Sequence, residues 1–567
     1  MGDVERFELG SERLGSLPVL GHFFDRLGFD RRLERYLPAD DVRLRLSPGA
    51  VVGVVCRNIV CRHRPLYALM EWAGVYDPML LGLDDTSVLN DDRVGRALDG
   101  LFDCDRASLL TETVLGAVSA FGIGTEELHN DSTSVTVTGS SYASAEAAVR
   151  GAKAVPIVTH GHNKDFRPTL RQLVYVLTVS SDGAVPVALR ICDGNTSDDV
   201  THVPTWDGLV EMLGKSDFLY VADSKLCSSE AMGHIASGGG RFATVIPNGR
   251  REDKWFKDFV QTHAPSFEEA ERLPGPHDGD PDRVYRTFES PVPSVDGYRV
   301  IWVHSSSKAQ RDAASRSARI EAGLAAIEAL DARLSAPRSR LRTRVAAEEA
   351  ARQCLSEVGA SRWICFSITE STEVSFSQER RGRPGATTRY RRKAKTIFHV
   401  GGEVDAATLA YDVRTDGLFP LVTNDRQMTP AEVLAAYRYQ PNLERRHHVL
   451  KGPQEVAPIH LENPHRIEAL LTCHFFAQLV EALIEREIRT SMRERGLAGI
   501  PLYPELRNCP APSASRVLEI FDDLSRHRLT DGDEVVRTFD PELSPLQLEV
   551  LELLHVPAEL YSSAEPA

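Results

Sequence analysis

The sequence predicts an α/β protein, α+β over its whole length, in which a mixed sheet core is interrupted by a large insertion and flanked by helical segments. Three observations predict it. From about Ser16 to Phe121 apolar residues recur at helical spacing. From Glu127 the pattern changes to β-rich runs alternating with helical stretches. Between about Gly249 and Gly402 this regularity lapses, and it returns afterwards.

At 567 residues the chain exceeds what one hydrophobic core organises. A prior of about 100 to 200 residues per domain implies three or four units. The hydrophobic fraction of 42% and charged fraction of 26% exclude a disordered or fibrous chain. No apolar run reaches the roughly 18 residues that span a bilayer, the best being Ala50 to Cys56, and no signal peptide opens the sequence. The expectation is no membrane partner and a cytoplasmic location. Nine cysteines are sparse, and the close pair Cys56 and Cys61 has no second pair nearby, so they read as buried thiols rather than disulfides or a zinc site. A formal charge of -15 excludes a protein that coats nucleic acid everywhere. Any such contact must use a local basic patch, and Arg380 to Lys395 supplies eight Lys or Arg and no acid.

Taken in order, residues 1–124 read as a helical N-terminal domain, for DNA binding or dimerisation, with Leu17, Leu20, Phe24 and Leu27 on one face and Ser47-Pro48 as a cap and first turn. Residues 125–250 form the first part of the core. HNDSTSVTVTG at His129 alternates as a strand does, and LVYVLTVSSDGAVPVALRI makes a hairpin about a Ser-Asp-Gly turn. A helix at His202 to Leu213, a strand FLYVADSK, a helix at Ser228 to Ala236 and a strand FATVIP complete the order β, β, β, α, β, α, β. Residues 251–402 are the insertion. Ile320, Ile327 and Leu334 repeat every seven residues beside Leu324 and Leu330 until Pro337, predicting a helical hairpin ahead of the basic loop. Residues 403–495 resume the core with DGLFPLVTN at Asp416, and Thr429, Pro430 and Glu432 spell a capping box that starts a helix. Residues 496–567 form a helical C-terminal tail.

Asp131 lies inside one β-rich run and Asp223 at the end of another, where aspartate is disfavoured. Carboxylates on adjacent strands would make a hard-oxygen site suited to Mg²⁺; solvated edge or loop aspartates are the plainer reading. Tyr437, Gln440, Glu444 and Lys451 are spaced by three, four and seven, on one helical face. Pro441 disfavours helical geometry at Gln440, which leaves Glu444 and Lys451 as the safe pair, and a solvated charged helix as the alternative. His160, His162, His202, His447 and His448 lack zinc spacing and read as structural or phosphate-facing, and Asp193 and Asp198 as turn residues or additional ligands.

Together these residues resemble the DDE insertion-sequence transposases, whose third acid lies in a Tyr-x2-Arg-x3-Glu-x6-Lys signature. The resemblance rests on the Asp-Ser-Thr-Ser strand at Asp131, GHNKDFRPTLRQL at Gly161, GNTSD at Gly194, VADSK at Asp223, DGLFPLVTN at Asp416 and the helix of Glu444. The N-terminal residues resemble the helical leader domain of one branch. One position departs: Gln440 stands where the signature has arginine, with Arg438 and Arg445 as the neighbouring arginines.

The resemblance implies an RNase H-like core with the insertion between the second and third acids. Asp131, Asp223 and Glu444 would hold two Mg²⁺ ions, with Mn²⁺ as substitute, about 4 Å apart for in-line phosphoryl transfer. Tyr437, Gln440 and Lys451 would meet DNA near the cut, with Lys164, Arg167 and Arg171 on backbone phosphate. Arg381 and Arg383 would enter a minor groove, joined by Arg391 and Arg392; a merely basic loop is the alternative. The implied partners are double-stranded DNA, as element inverted repeats and target, and a second copy in a homodimer on DNA, in a prokaryotic cytoplasm at the nucleoid. Two rival functions use the same residues: an RNase H-like nuclease without strand transfer, and a transposase-derived DNA-binding protein whose catalysis Gln440 has impaired.

Overall fold

The structure is a computed structural model that describes residues 7–39, 46–61, 64–139, 148–277, 279–336, 339–457, 459–532 and 534–563. Pro337, expected to end the heptad run, lies outside them. The chain forms two compact units, Met1–Thr244 with Ala435–Ala567, and Val245–Leu434.

The first unit is built on five strands in the order Pro186–Cys192, Arg171–Ser180, Glu127–Val137, Leu219–Ala222, Arg241–Val245. The first three pair antiparallel and the last two join in parallel, with helices His202–Leu213 and Ser229–Ser237 in the crossovers. This is the mixed α/β sheet with an antiparallel start that the order of elements implied. The hairpin turns at Ser181 to Ala184, where Gly183 takes φ 84 at no steric cost. Among the described residues six α-helices lie between Leu17 and Phe121, two of them the short Leu69–Ala73 and Phe29–Tyr36. Ser47 caps Pro48–Val60 as its sequence proposed, its hydroxyl accepting from the Ala50 amide at 2.9 Å. The tail adds strands to its helices: Glu8–Arg13 pairs with Ser525–Asp531, which pairs with Glu534–Phe539.

Helix Pro464–Glu494 runs through the core of this unit. One window of it is long and apolar enough to cross a membrane, and 94% of that window is buried in the protein. In the sequence, His474, Gln478, Glu481 and Glu485 interrupt its apolar run. Inside, Gln478 accepts from the Tyr175 hydroxyl and donates to the Arg446 carbonyl, and Gln454 donates to Glu481 at 2.9 Å. Burial, reinforced by the nearby Glu485 charge, pushes the Glu481 carboxyl up to about 8 from an ordinary 4.5. Stability from this retained proton is full below about pH 4.5 and is lost as pH rises towards 8. Glu481→Gln is therefore expected to raise the melting temperature more at pH 8 than at pH 5; equal shifts at the two values would mean that Glu481 is ionised in the fold.

The second unit has four antiparallel strands in the order Leu418–Thr423, Arg299–Ser305, Arg283–Glu289, Glu268–Leu273. The ring of Phe256 stacks on Trp302 with centroids 3.8 Å apart. Helices Ser306–Ser335 and Arg344–Glu357 form the expected hairpin. Its core joins Ile327, Leu330 and Leu334 to Ala347, Ala351 and Leu355, with Leu324 packed against it. The basic segment proves to be the far end of a two-stranded ribbon, Ile364–Gln378 with Tyr390–Val404. Directly paired residues share a face, so Ile364, Ile368, Phe398 and Val400 seat its base on the helical hairpin. Farther out, that face carries exposed Phe376, Tyr390 and Arg392, while the other face carries Arg391, Lys393 and Lys395. Of the nine cysteines, five are buried as expected, three are half-buried and Cys365 is exposed; none forms a disulfide.

Candidate active site

Strand register places the first two acids. In the parallel pair, His129 lies opposite Val221 and Asn130 opposite Ala222, so the next residues, Asp131 and Asp223, leave adjacent strands at one level. Neighbouring strands run about 4.8 Å apart, and the carboxyl ends of parallel strands are where α/β sheets open a crevice. Asp223 ends its strand in a tight turn, one oxygen accepting from the Lys225 amide at 3.0 Å while its carbonyl accepts from the Thr244 hydroxyl. Burial pushes both carboxyls above the usual carboxylate range. The Lys164 charge opposes this at Asp131, and the negative charge of Asp131 adds to it at Asp223.

Two loops complete the crevice because two glycines let their backbones touch. A Cβ on Gly161 would stand 2.0 Å from the Gly194 carbonyl oxygen, and one on Gly194 would stand 2.0 Å from that of Gln172. Gln172 stitches the contact by donating to the carbonyls of Gly194 and His162, and Asn163 donates to Gln172 while accepting from the amides of Asp165 and Arg167. The GHNKD and GNTSD segments thereby meet. Lys164 turns its ammonium inward, 2.6 Å from the Ser132 carbonyl, 3.2 Å from Asp198 and 3.5 Å from Asp131. The Ser132 hydroxyl donates to Asp198. Phe166, at φ 57, is 93% exposed at the loop tip. Gly194→Ala is expected to cost at least about 1–3 kcal/mol by overpacking against backbone and to displace Lys164 and Asp198 together. Denaturant unfolding measures it, and a variant as stable as the parent would mean that the two loops part freely.

Pro441 splits the expected catalytic helix. The capping box forms, with Thr429 and Glu432 bonded in both directions, but that helix ends at Tyr437. A second helix, Gln440–Lys451, restarts with proline in its first turn, where the missing N–H costs no hydrogen bond. Tyr437 and Glu444 therefore sit on different helices, yet both acids near Tyr437 are felt there. Burial first, then the charges of Asp223 and Glu444, push its hydroxyl up to about 12. Gln440 points into the protein, 3.3 Å from the His129 ring and 3.5 Å from the Asn130 carbonyl. His447, one turn beyond Glu444, is buried 3.6 Å from Asp131, outside hydrogen-bond geometry, and neither of its ring nitrogens has a partner. Burial and the Lys164 and Lys451 charges push this imidazole down to about 3, so it stays neutral.

Residues 9–115 match the family described as a domain of unknown function, DUF4277. No curated protein matches the chain. Among solved structures it is similar to a piggyBac transposase synaptic complex with hairpin DNA, determined by cryo-EM. The identity is 8% over 91% of this chain and 81% of that one, with a TM-score of 0.38. At that level the likeness carries no functional weight.

The structure thus brings Asp131 together with Lys164, Asp198 and His447, the last two expected from the sequence as a turn residue or additional ligand and as a structural or phosphate-facing histidine, and Tyr437 feels the charges of both Asp223 and Glu444. Glu444 itself is exposed. Lys164, expected on backbone phosphate, lies instead among carboxylates. Lys451 pairs with Asp165 at 2.6 Å, and Arg167 is exposed beside Phe166. Arg171 begins its strand, opposite Val137. Arg381, Arg383, Arg391 and Arg392 lie on the ribbon and its turn, all exposed, in the second unit.

Among the described residues no three His, Cys, Asp or Glu side chains form a group that could by itself hold a metal ion. The donor set still suits Mg²⁺, which takes one or two carboxylates and fills its shell with water and phosphate oxygens. Two desolvated carboxylates, each opposed by the charge of Lys164, leave negative charge for a divalent cation to neutralise.

Proposed function

We propose that this chain is a DNA transposase of the DDE insertion-sequence type, which cuts element ends and joins them to target DNA. The observation that carries it is the emergence of Asp131 and Asp223 at one level on adjacent parallel strands, half-buried, with desolvation raising both carboxyls from their ordinary value. The sheet order supports an RNase H-like core, and Glu444 on the restarted helix would be the third acid. Asp131, Asp223 and Glu444 would hold Mg²⁺ or Mn²⁺, two ions per site, which when bound would activate the attacking oxygen and steady the leaving one. Tyr437, protonated up to about pH 12, can donate a hydrogen bond to a phosphate oxygen in the crevice. Lys451 and Arg167 flank the same crevice as phosphate contacts, with Arg171 farther along the strand. Gln440 holds the Glu444 helix to the Asp131 strand, and the ribbon arginines would bind duplex DNA. A homodimer would pair two element ends.

The test is incubation of the purified chain with labelled duplex carrying the DNA that flanks its coding region, with Mg²⁺ or EDTA. Nicking and joining that need the metal are expected. Cleavage without joining would replace this reading by the nuclease, and binding without cleavage by the DNA-binding relic.

A further inference from the structure

The Lys164 ammonium is surrounded by oxygen: the Ser132 carbonyl at 2.6 Å, the Ser132 hydroxyl at 2.9 Å, Asp198 at 3.2 Å and Asp131 at 3.5 Å. Two carboxylates, a carbonyl and a hydroxyl are the donors a hard divalent cation takes. Beside them lies a cleft of about 100 Å³ lined by Ser132, Ser134, His162, Lys164, Asp198 and Lys225, room for about three waters of a hydrated ion. A second observation points to a ligand here. His447, only 7% exposed, has its ring 3.6 Å from Asp131 and a hydrogen-bond partner on neither ring nitrogen. A buried polar group without a partner is costly unless something absent from the free protein completes it.

We infer that the Lys164 ammonium stands in for a divalent cation, and that Asp198 joins Asp131 as an oxygen ligand when the metal displaces it. This rests on the metal-dependent reading above and adds to it a fourth acid and a built-in competitor. The lysine keeps the acid pair compact while no metal is bound, and its flexible stem lets the ammonium withdraw towards the incoming phosphate. Lys164 and Asp198 lie on two loops that the Gly161–Gly194 contact holds together, so one backbone contact positions both the competitor and the added ligand.

Binding of Mn²⁺ to the full chain without DNA, followed by loss of the electron paramagnetic resonance signal of the free ion, tests this directly. One positive charge about 4 Å from a cation site is worth at least a tenfold change in affinity. Lys164→Met is therefore expected to bind Mn²⁺ about tenfold or more tightly than the parent, Lys164→Arg to match the parent, and Asp198→Asn to bind about tenfold more weakly. In the double variant the gain from removing the lysine should shrink. Unchanged or weaker binding by Lys164→Met, or parental binding by Asp198→Asn, overturns the inference, as does absence of Mn²⁺ binding in both parent and Lys164→Met. Should Lys164→Met not fold, Lys164→Gln carries the same expectation. Strand cleavage is read separately: a chain that binds Mn²⁺ in this order but cuts no DNA loses the transposase reading and keeps this one.

Discussion

Asp131→Asn and Asp223→Asn are each expected to lower metal-dependent strand cleavage by about 10³-fold or more while leaving the chain at least as stable as the parent. The first half follows from the several kcal/mol of charge stabilisation that a bound metal supplies, at about 1.4 kcal/mol per tenfold in rate. The second follows from burial. Both carboxyls are raised above the ordinary 3.8, so the folded state holds their protons more tightly than the unfolded chain does. Stability is then lost as pH rises from the unfolded value through the folded one, and near neutrality the ionised acids are a burden that asparagine removes. Cleavage kinetics with Mg²⁺ and thermal unfolding at pH 7, on the same preparations, measure both halves. Variants that lose activity and also melt earlier would make these aspartates structural, and variants that retain activity would place the chemistry elsewhere.

Arg446→Met is expected to destabilise the first unit by about 3–5 kcal/mol, the cost of leaving a buried charge without its partner. Arg446 lies 3.0 Å from Glu485, both almost wholly enclosed, and donates to the carbonyls of Gly183 and Ala184. It thereby ties the Glu444 helix to the long buried helix and to the hairpin turn, where Ala184 is held at φ 53. Arg489, 3.4 Å from the same glutamate, offsets part of the loss. The pairing is isolated by adding Glu485→Gln: the double variant should recover much of the stability lost by Arg446→Met alone. Denaturant midpoints decide, and a change below about 1 kcal/mol would assign this pair the weight of a surface ion pair.

Much of the first unit was legible because its signals are local. Alternation in HNDSTSVTVTG, the Ser-Asp-Gly turn and the cap at Ser47 each act within a few residues, and aspartate in or ending a strand marks Asp131 and Asp223 as unusual, while only the family resemblance gives them a role. What escaped was decided by contacts between distant segments. Asp198 looks like any turn aspartate until two glycines, Gly161 and Gly194, let their loops meet. Lys164 reads as a surface cation in a polar stretch, and only the fold shows that its nearest charges are acids. His447 carries a local signal, since it follows Glu444 by three residues and so shares its side of the helix, although zinc spacing says nothing of it. The helix break at Arg438 and Tyr439 was half legible: Pro441 warned of it, and the structure shows the chain obeying proline rather than the spacing of the signature.

The first unit is assembled from Met1–Thr244 and Ala435–Ala567, with the second unit made in between. On a ribosome adding roughly 5–20 residues per second, the 221 residues from Asp223 to Glu444 take roughly 10–40 s to appear. Throughout that interval the strands bearing the first two acids are already exposed to the cell while the helix bearing Glu444, and the apolar rod of Pro464–Glu494 that seals the core, have not been made. A growing chain therefore cannot assemble this crevice early, and any product truncated before Lys451 is born without it.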